Sequence, residues 1–211
     1  MDTKNQKYRQ GNAEQAIALE DSFSLERYRQ FAAHLPQGSL KILDVGCAEG
    51  RGGEELCRVR AGTELFGLDC VGDRLAKLPA CYAGGIEGLT LEIPADDLAF
   101  DGIIAGEFLE HLYPSDVDPT LCEFQRVLRI GGTLLMTTPN PHSLKMRMKG
   151  GSVFGVAHLT QHFPSLLKKR LMLHGFSKVR LYGSGKATRY LGQYFPLLSA
   201  YGSYLVVARK C

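Results

Sequence analysis

The sequence predicts an α/β fold in which seven short strands alternate with helices about a mostly parallel sheet. Three observations lead there. Short apolar runs recur with helical segments between them, the alternation that marks β/α units. A glycine-rich turn, Gly46-Cys-Ala-Glu-Gly50-Arg-Gly-Gly53, stands between the first such run and a helix. An acid, Asp69, closes the next run. The chain has 211 residues, room for one domain spanning 1–211. A chain of this size buries about 70% of its unfolded surface and needs neither disulfide nor metal for a core.

The elements follow in order. Residues 1–36 read as a polar N-terminal helical arm, with Ile17, Leu19, Phe23, Leu25, Tyr28 and Phe31 at loosely helical spacing until Pro36 and Gly38 stop it. Leu40–Val45 is the first strand, followed by the glycine turn and a helix through Glu54, Glu55 and Leu56. Leu65–Leu68 is the second, with a short helix from about Asp73 to Leu78. A third falls near Cys81–Ala83, a fourth at Phe100–Ala105 and a fifth at Thr133–Thr137, after a helix over Thr120–Leu128 and a turn at Arg129–Gly132. Residues 140–160 lack clean periodicity and read as a loop or lid. Ser165–His174 is a helix capped by Gly175 in the left-handed conformation. Val179–Tyr182 and Ser203–Arg209 are the last strands.

Composition narrows the class. Hydrophobic residues make up 45% and charged residues 22%, as in ordinary globular proteins. No apolar run approaches the roughly 18 residues of a membrane span, and the N-terminal residues lack a signal-peptide core. The six cysteines fall at irregular spacings with no CxxC pair, which fits reduced thiols in a cytoplasmic protein. No HxxH or HExxH pattern links the histidines, and Asp96, Asp97 and Asp101 are scattered hard ligands, so no metal is expected.

The glycine turn and Asp69 carry the chemistry. Small residues after a buried strand let a ligand approach the backbone at the carboxyl edge of a sheet, and an acid ending the next strand can accept two hydrogen bonds from a ribose. Dinucleotides and S-adenosylmethionine both use this arrangement. A dinucleotide site wants GxGxxG; here the spacing is Asp44-x-Gly46-x-Ala48-x-Gly50. The acid at Asp44 suits a cofactor with a cationic amino-acid end better than a pyrophosphate, which it would repel.

LDVGCAEGRGGEEL resembles motif I of the class I S-adenosylmethionine-dependent methyltransferases. FGLDCVGDRLAKL, FDGIIAGEFLEHL and GGTLLMTTPNP resemble their second, fourth and fifth strands with flanking segments. HLTQHFPSLLKKRLMLHGFSKVRLY is similar to the later helix, glycine cap and sixth strand of the small-molecule (type 11) branch. The matches span residues 38–182 in the family's order. The resemblance implies a Rossmann-like methyltransferase fold with an antiparallel edge strand and S-adenosyl-L-methionine as cofactor.

It also implies roles. Asp44, Gly46, Ala48 and Gly50 would line the methionine portion, Asp69 would grip the ribose, Cys70 would pack beside the adenine, and Gly106 and Glu107 would border the methyl group. Two positions depart from the pattern. Ala48 replaces a glycine, and Gly85 stands where an acid usually meets the adenine amine, leaving the Ile86 amide or Glu87 to serve. His111 would act as a general base for an acceptor hydroxyl, since imidazole titrates near neutrality, or would merely pack the following turn. His142, His158 and His162 read as solvated or packed.

Charge is unevenly placed. Residues 1–123 hold 11 basic and all 22 acidic side chains, whereas residues 124–211 hold 14 basic and none acidic. A merely solvated face mixes both signs. With Lys145, Arg147 and Lys149 interleaved among Met146, Met148 and Phe154, the pattern predicts an anionic small-molecule, lipid or glycan acceptor and peripheral membrane contact, with RNA a weaker fit. Two other readings stay open: a non-catalytic module that binds S-adenosylmethionine without turning it over, and an NAD-dependent oxidoreductase on a similar sheet.

Overall fold

A computed structural model describes residues 6–9, 23–148, 150–155 and 157–211. The predicted positions Ile17 and Leu19 in the arm, and Lys149 in the loop, lie outside the described residues. The strands are β1 (Leu40–Val45), β2 (Thr63–Asp69), β3 (Tyr82–Glu87), β4 (Phe100–Gly106), β5 (Leu128–Pro139), β6 (Phe176–Ser184) and β7 (Ser203–Lys210). The helices are α1 (Ser24–His34), α2 (Arg51–Val59), α3 (Gly72–Leu75), α4 (Val117–Val127), α5 (Leu144–Met148), α6 (Pro164–Leu173) and α7 (Thr188–Leu191).

The seven strands form one sheet in the order β3-β2-β1-β4-β5-β7-β6. The first five run parallel to one another, which takes crossover connections rather than hairpins. β7 runs antiparallel between β5 and β6, so the reversed strand sits one place in from the edge. The central strands are mostly apolar because both sheet faces are covered. On one face Tyr28, Phe31 and Leu35 of the α1 region meet Leu56 of α2 over Ile42 and Ile104. On the other, Leu121 and Phe124 of α4 and Leu167 and Leu171 of α6 pack over Leu43, Ile103 and Leu134.

Some boundaries moved. β3 begins at Tyr82 and runs to Glu87, further than Cys81–Ala83, because its glycines pair in the ladder with Phe66 and Gly67. The expected turn at Arg129–Gly132 is the exposed start of β5, with Gly131 at φ +76° beside a register shift against β4. Gly175 takes φ +78° after α6, the left-handed cap its position predicts. Within the stretch read as a loop, Leu144–Met148 forms a short helix.

The uneven charge of the two halves is partly neutralised by folding. Arg126 pairs with Glu123 and Asp97, Arg129 with Asp101, Arg170 with Asp118, and Arg189 with Glu26. Basic side chains late in the sequence thus lie against acids that come earlier.

Candidate active site

The carboxyl ends of β1, β2 and β4 lie side by side, with Val45 opposite both Leu68 and Ala105. This edge of a parallel sheet is where ligands bind in open α/β folds. The chain leaves β1 in a turn that needs glycine. Gly46 sits at φ +68°, and a Cβ there would stand 2.8 Å from the Phe108 ring. Ala48 holds φ 50°, a region that costs an L-residue about 1–2 kcal/mol.

A cavity of about 330 Å³ opens at this edge. Gly46 and Ala48 wall it from the first turn, Asp69 and Cys70 from the end of β2, and Gly106, Glu107 and Phe108 from the end of β4. Gly88 to Leu91, beyond β3, form another wall, and His111, Leu112, Arg74 and Tyr8 complete it. Asp69 is buried and held by main-chain donors: Ala48 N–H to Oδ2 at 3.0 Å and Val71 N–H to Oδ1 at 2.9 Å. Each carboxylate oxygen keeps a second acceptor site, the requirement for gripping vicinal hydroxyls. Burial, reinforced by the Asp69 charge, pushes the Cys70 thiol up to about 11, so it stays protonated and serves as an apolar wall.

Four residues expected at the site stand outside these walls. Asp44 is fully buried, accepting hydrogen bonds from the Tyr28 hydroxyl at 2.7 Å and the Tyr82 hydroxyl at 2.6 Å. Burial pushes its carboxyl up to about 7, against the pull of those two bonds. Gly50 packs on Pro79, Leu78 and Tyr82. Ile86 pairs with Leu68 in the sheet, and Glu87 bonds Arg9 at 2.7 Å. The end of the glycine run serves the tyrosines: a Cβ on Gly52 would meet the Tyr28 ring at 2.1 Å, and one on Gly53 the Tyr82 hydroxyl at 1.9 Å. These glycines let α2 settle on the Tyr28–Asp44–Tyr82 bridge. Sequence reading missed both tyrosines, since nothing local marks residues that meet only across the sheet.

The far end of the cavity is polar and tense. Glu107 holds φ 50°, with its N–H on the Thr137 carbonyl at 3.0 Å. Its carboxylate accepts from the Ser203 hydroxyl at 3.3 Å and lies 3.9 Å from Arg27. Glu110 is buried, with Oε2 accepting from the Thr138 hydroxyl at 3.1 Å. Burial first, and the Glu107 charge second, push its carboxyl well above the usual range. His111 donates Nδ1–H to the Ala157 carbonyl at 2.9 Å, which leaves the lone pair on Nε2. Burial and neighbouring His158 lower its pKa below 6.5, so the ring is neutral at physiological pH. The His158 ring stands edge-on to it, 5.0 Å between centroids. His162 is buried against the Thr160 hydroxyl, and His142 packs on Phe163.

Residues 43–136 match the methyltransferase domain family. The match covers 94 of the chain's 211 residues and marks that stretch as similar to a methyltransferase domain. A fatty-acid O-methyltransferase of Mycolicibacterium smegmatis is 32% identical over 123 residues, covering 56% of this chain and 44% of that protein. A ubiquinone biosynthesis O-methyltransferase of Cereibacter sphaeroides is 29% identical, covering 63% of this chain and 55% of the relative. The chain therefore spans about half the length of these curated relatives. An S-adenosylmethionine-dependent methyltransferase from Archaeoglobus fulgidus shares the fold, with a TM-score of 0.68 and 22% identity over 88% of this chain and 92% of its own. A phosphoethanolamine N-methyltransferase of Haemonchus contortus, solved with S-adenosylhomocysteine, superposes with a TM-score of 0.67 at 14% identity, covering 88% of this chain and 52% of its own. The methyltransferase domain's cofactor is S-adenosylmethionine, and the site fits it: Asp69 presents a fixed carboxylate, and the turn at Gly46 and Ala48 brings the chain to the cavity wall.

Proposed function

We propose that this chain transfers the methyl group of S-adenosylmethionine to an ionisable oxygen, a carboxyl or phenol, on a largely apolar acceptor. The observation that carries the reading is the cavity itself, with the anchored Asp69 carboxylate and neutral His111 both in its walls. Asp69 would hold the ribose hydroxyls, and the Gly46 and Ala48 backbone would face the amino-acid portion. The cofactor supplies an electrophilic methyl group, so the protein's work is to orient the acceptor and exclude water.

The chain's own residues suit that work. Val45, Leu68, Leu89, Leu91, Phe108 and Leu112 give the cavity an apolar lining that favours a fatty or aromatic acceptor. Tyr8, from the N-terminal arm, closes part of the wall, fixed by the Tyr113 N–H at 2.7 Å and by its own bond to Asp116 at 2.8 Å. The Nε2 lone pair of His111 can take the acceptor's proton. The relatives named for fatty-acid and ubiquinone-biosynthesis O-methylation support an acidic oxygen on a lipid-like molecule.

The acceptor's charge and delivery follow from α5. It leaves the carboxyl end of β5, the sheet edge that carries the cavity, and exposes Lys145 and Arg147 beside Leu144 and Met148. Exposed cations next to exposed apolar groups suit an anionic lipid surface. The test is transfer of labelled methyl to a panel of long-chain carboxylic acids, phenols, phosphomonoesters and neutral sugars. The reading expects carboxylic acids or phenols to be labelled. Labelling confined to sugars or to phosphomonoesters would contradict it.

A further inference from the structure

Beside the cavity, a carboxylate oxygen of Glu110, a ring nitrogen of His111 and a ring nitrogen of His158 lie within 4.8 Å of one another. The rings are set by main-chain acceptors. His111 Nδ1 bonds the Ala157 carbonyl at 2.9 Å, and His158 Nδ1 bonds the Val153 carbonyl at 2.8 Å. A carbonyl accepts only, so both rings carry their proton on Nδ1 and offer a lone pair on Nε2. This outer-shell device fixes the tautomer of metal-binding histidines. Glu110 is 1% exposed, and its Oε1 has no hydrogen-bond partner among the described residues, while Oε2 is held by Thr138.

A buried carboxyl oxygen without a partner is costly, and a cation held between it and the two imidazoles would satisfy it. The loop that brings His158 is pinned to the same turn, because the Glu110 carbonyl accepts from Leu159 N–H at 2.7 Å and from Thr160 N–H at 3.1 Å. We infer that Glu110, His111 and His158 form a site for a divalent transition-metal ion, with Zn²⁺ the best match to two imidazoles and one carboxylate. Such a set leaves a coordination position open, as in catalytic rather than structural zinc sites. Because His111 also walls the cavity, that position suits an acceptor oxygen, and the ion would then replace His111 as the group that ionises it. This last role rests on the methyl-transfer reading; binding of the ion does not. Spacing along the chain points to no metal, because His158 reaches Glu110 and His111 only through the folded loop.

The experiment uses the untagged full chain, stripped with chelator, reloaded with zinc and freed of excess by gel filtration. Atomic emission should count one ion per chain. X-ray absorption on the loaded wild type should show imidazole scattering with nitrogen and oxygen at about 2.0–2.1 Å. His158→Ala should lower zinc affinity about tenfold or more, while His142→Ala leaves it unchanged. No retained zinc, a shell of cysteine sulfur at about 2.3 Å, or wild-type affinity in His158→Ala would each overturn the site. The wild-type measurements decide even if a variant fails to fold, and none depends on methyl transfer.

Discussion

Asp69 binds the Ala48 and Val71 amides and retains acceptor sites for a ligand, so its side chain joins the two strand exits that make the cavity. Hydrogen bonds to a charged group are worth about 1.5–3 kcal/mol each. Asp69→Ala should therefore weaken S-adenosylhomocysteine binding about a hundredfold or more, as calorimetry would read. Ala48 occupies the left-handed region without being glycine, and Ala48→Gly should raise stability by up to about 1 kcal/mol in chemical denaturation. His111 must be neutral to offer Nε2, and its pKa is lowered by burial. Activity should thus be level at neutral pH and fall only below the ordinary imidazole range, at a pH under 6.5. An acid limb above 6.5 in the pH–rate profile would contradict this.

Asp44 makes a separate prediction through its raised pKa. The folded carboxyl titrates near 7 against an ordinary 3.8, so the folded state binds the proton more tightly than the unfolded chain. Its contribution is greatest below about pH 4 and is lost as pH rises towards 7. Asp44→Asn should flatten that part of the stability profile.

Elements differ in how plainly the sequence declared them. β1, β2 and β4 were legible because mostly apolar runs and a glycine turn report burial on both faces. β3 was misplaced, because Gly84 and Gly85 carry no side chains to alternate. The Tyr28–Asp44–Tyr82 bridge was invisible for another reason: its members belong to different elements and meet only after α1, β1 and β3 pack. The same holds for His158, whose neighbours come from the turn after β4. The glycines at Gly52 and Gly53 were visible but were credited to the ligand turn as a whole, although they serve helix packing. At this scale α5 carries its own prediction. Lys145→Gln with Arg147→Gln should weaken binding to anionic vesicles in a sedimentation assay, with cofactor affinity unchanged. Equal binding by wild type and variant would count against α5 as the membrane contact.

Across the whole molecule, the acidic first half and basic second half recombine, so that Arg126, Arg129, Arg170 and Arg189 meet acids from earlier in the chain. The charge asymmetry that suggested an anionic partner is thus partly an account of how the halves fit together. What remains exposed on α5 carries the lipid-surface reading. The sheet order leaves one edge at which β1, β2 and β4 deliver a glycine turn, an anchored acid and a polar cluster to a single cavity. That convergence is what makes a cofactor site there. Calorimetric titration of the wild-type chain with S-adenosylhomocysteine, run beside NADH, tests it most directly. One equivalent of S-adenosylhomocysteine should bind saturably, with no heat from NADH. Saturable NADH binding, or no binding of S-adenosylhomocysteine, would contradict it.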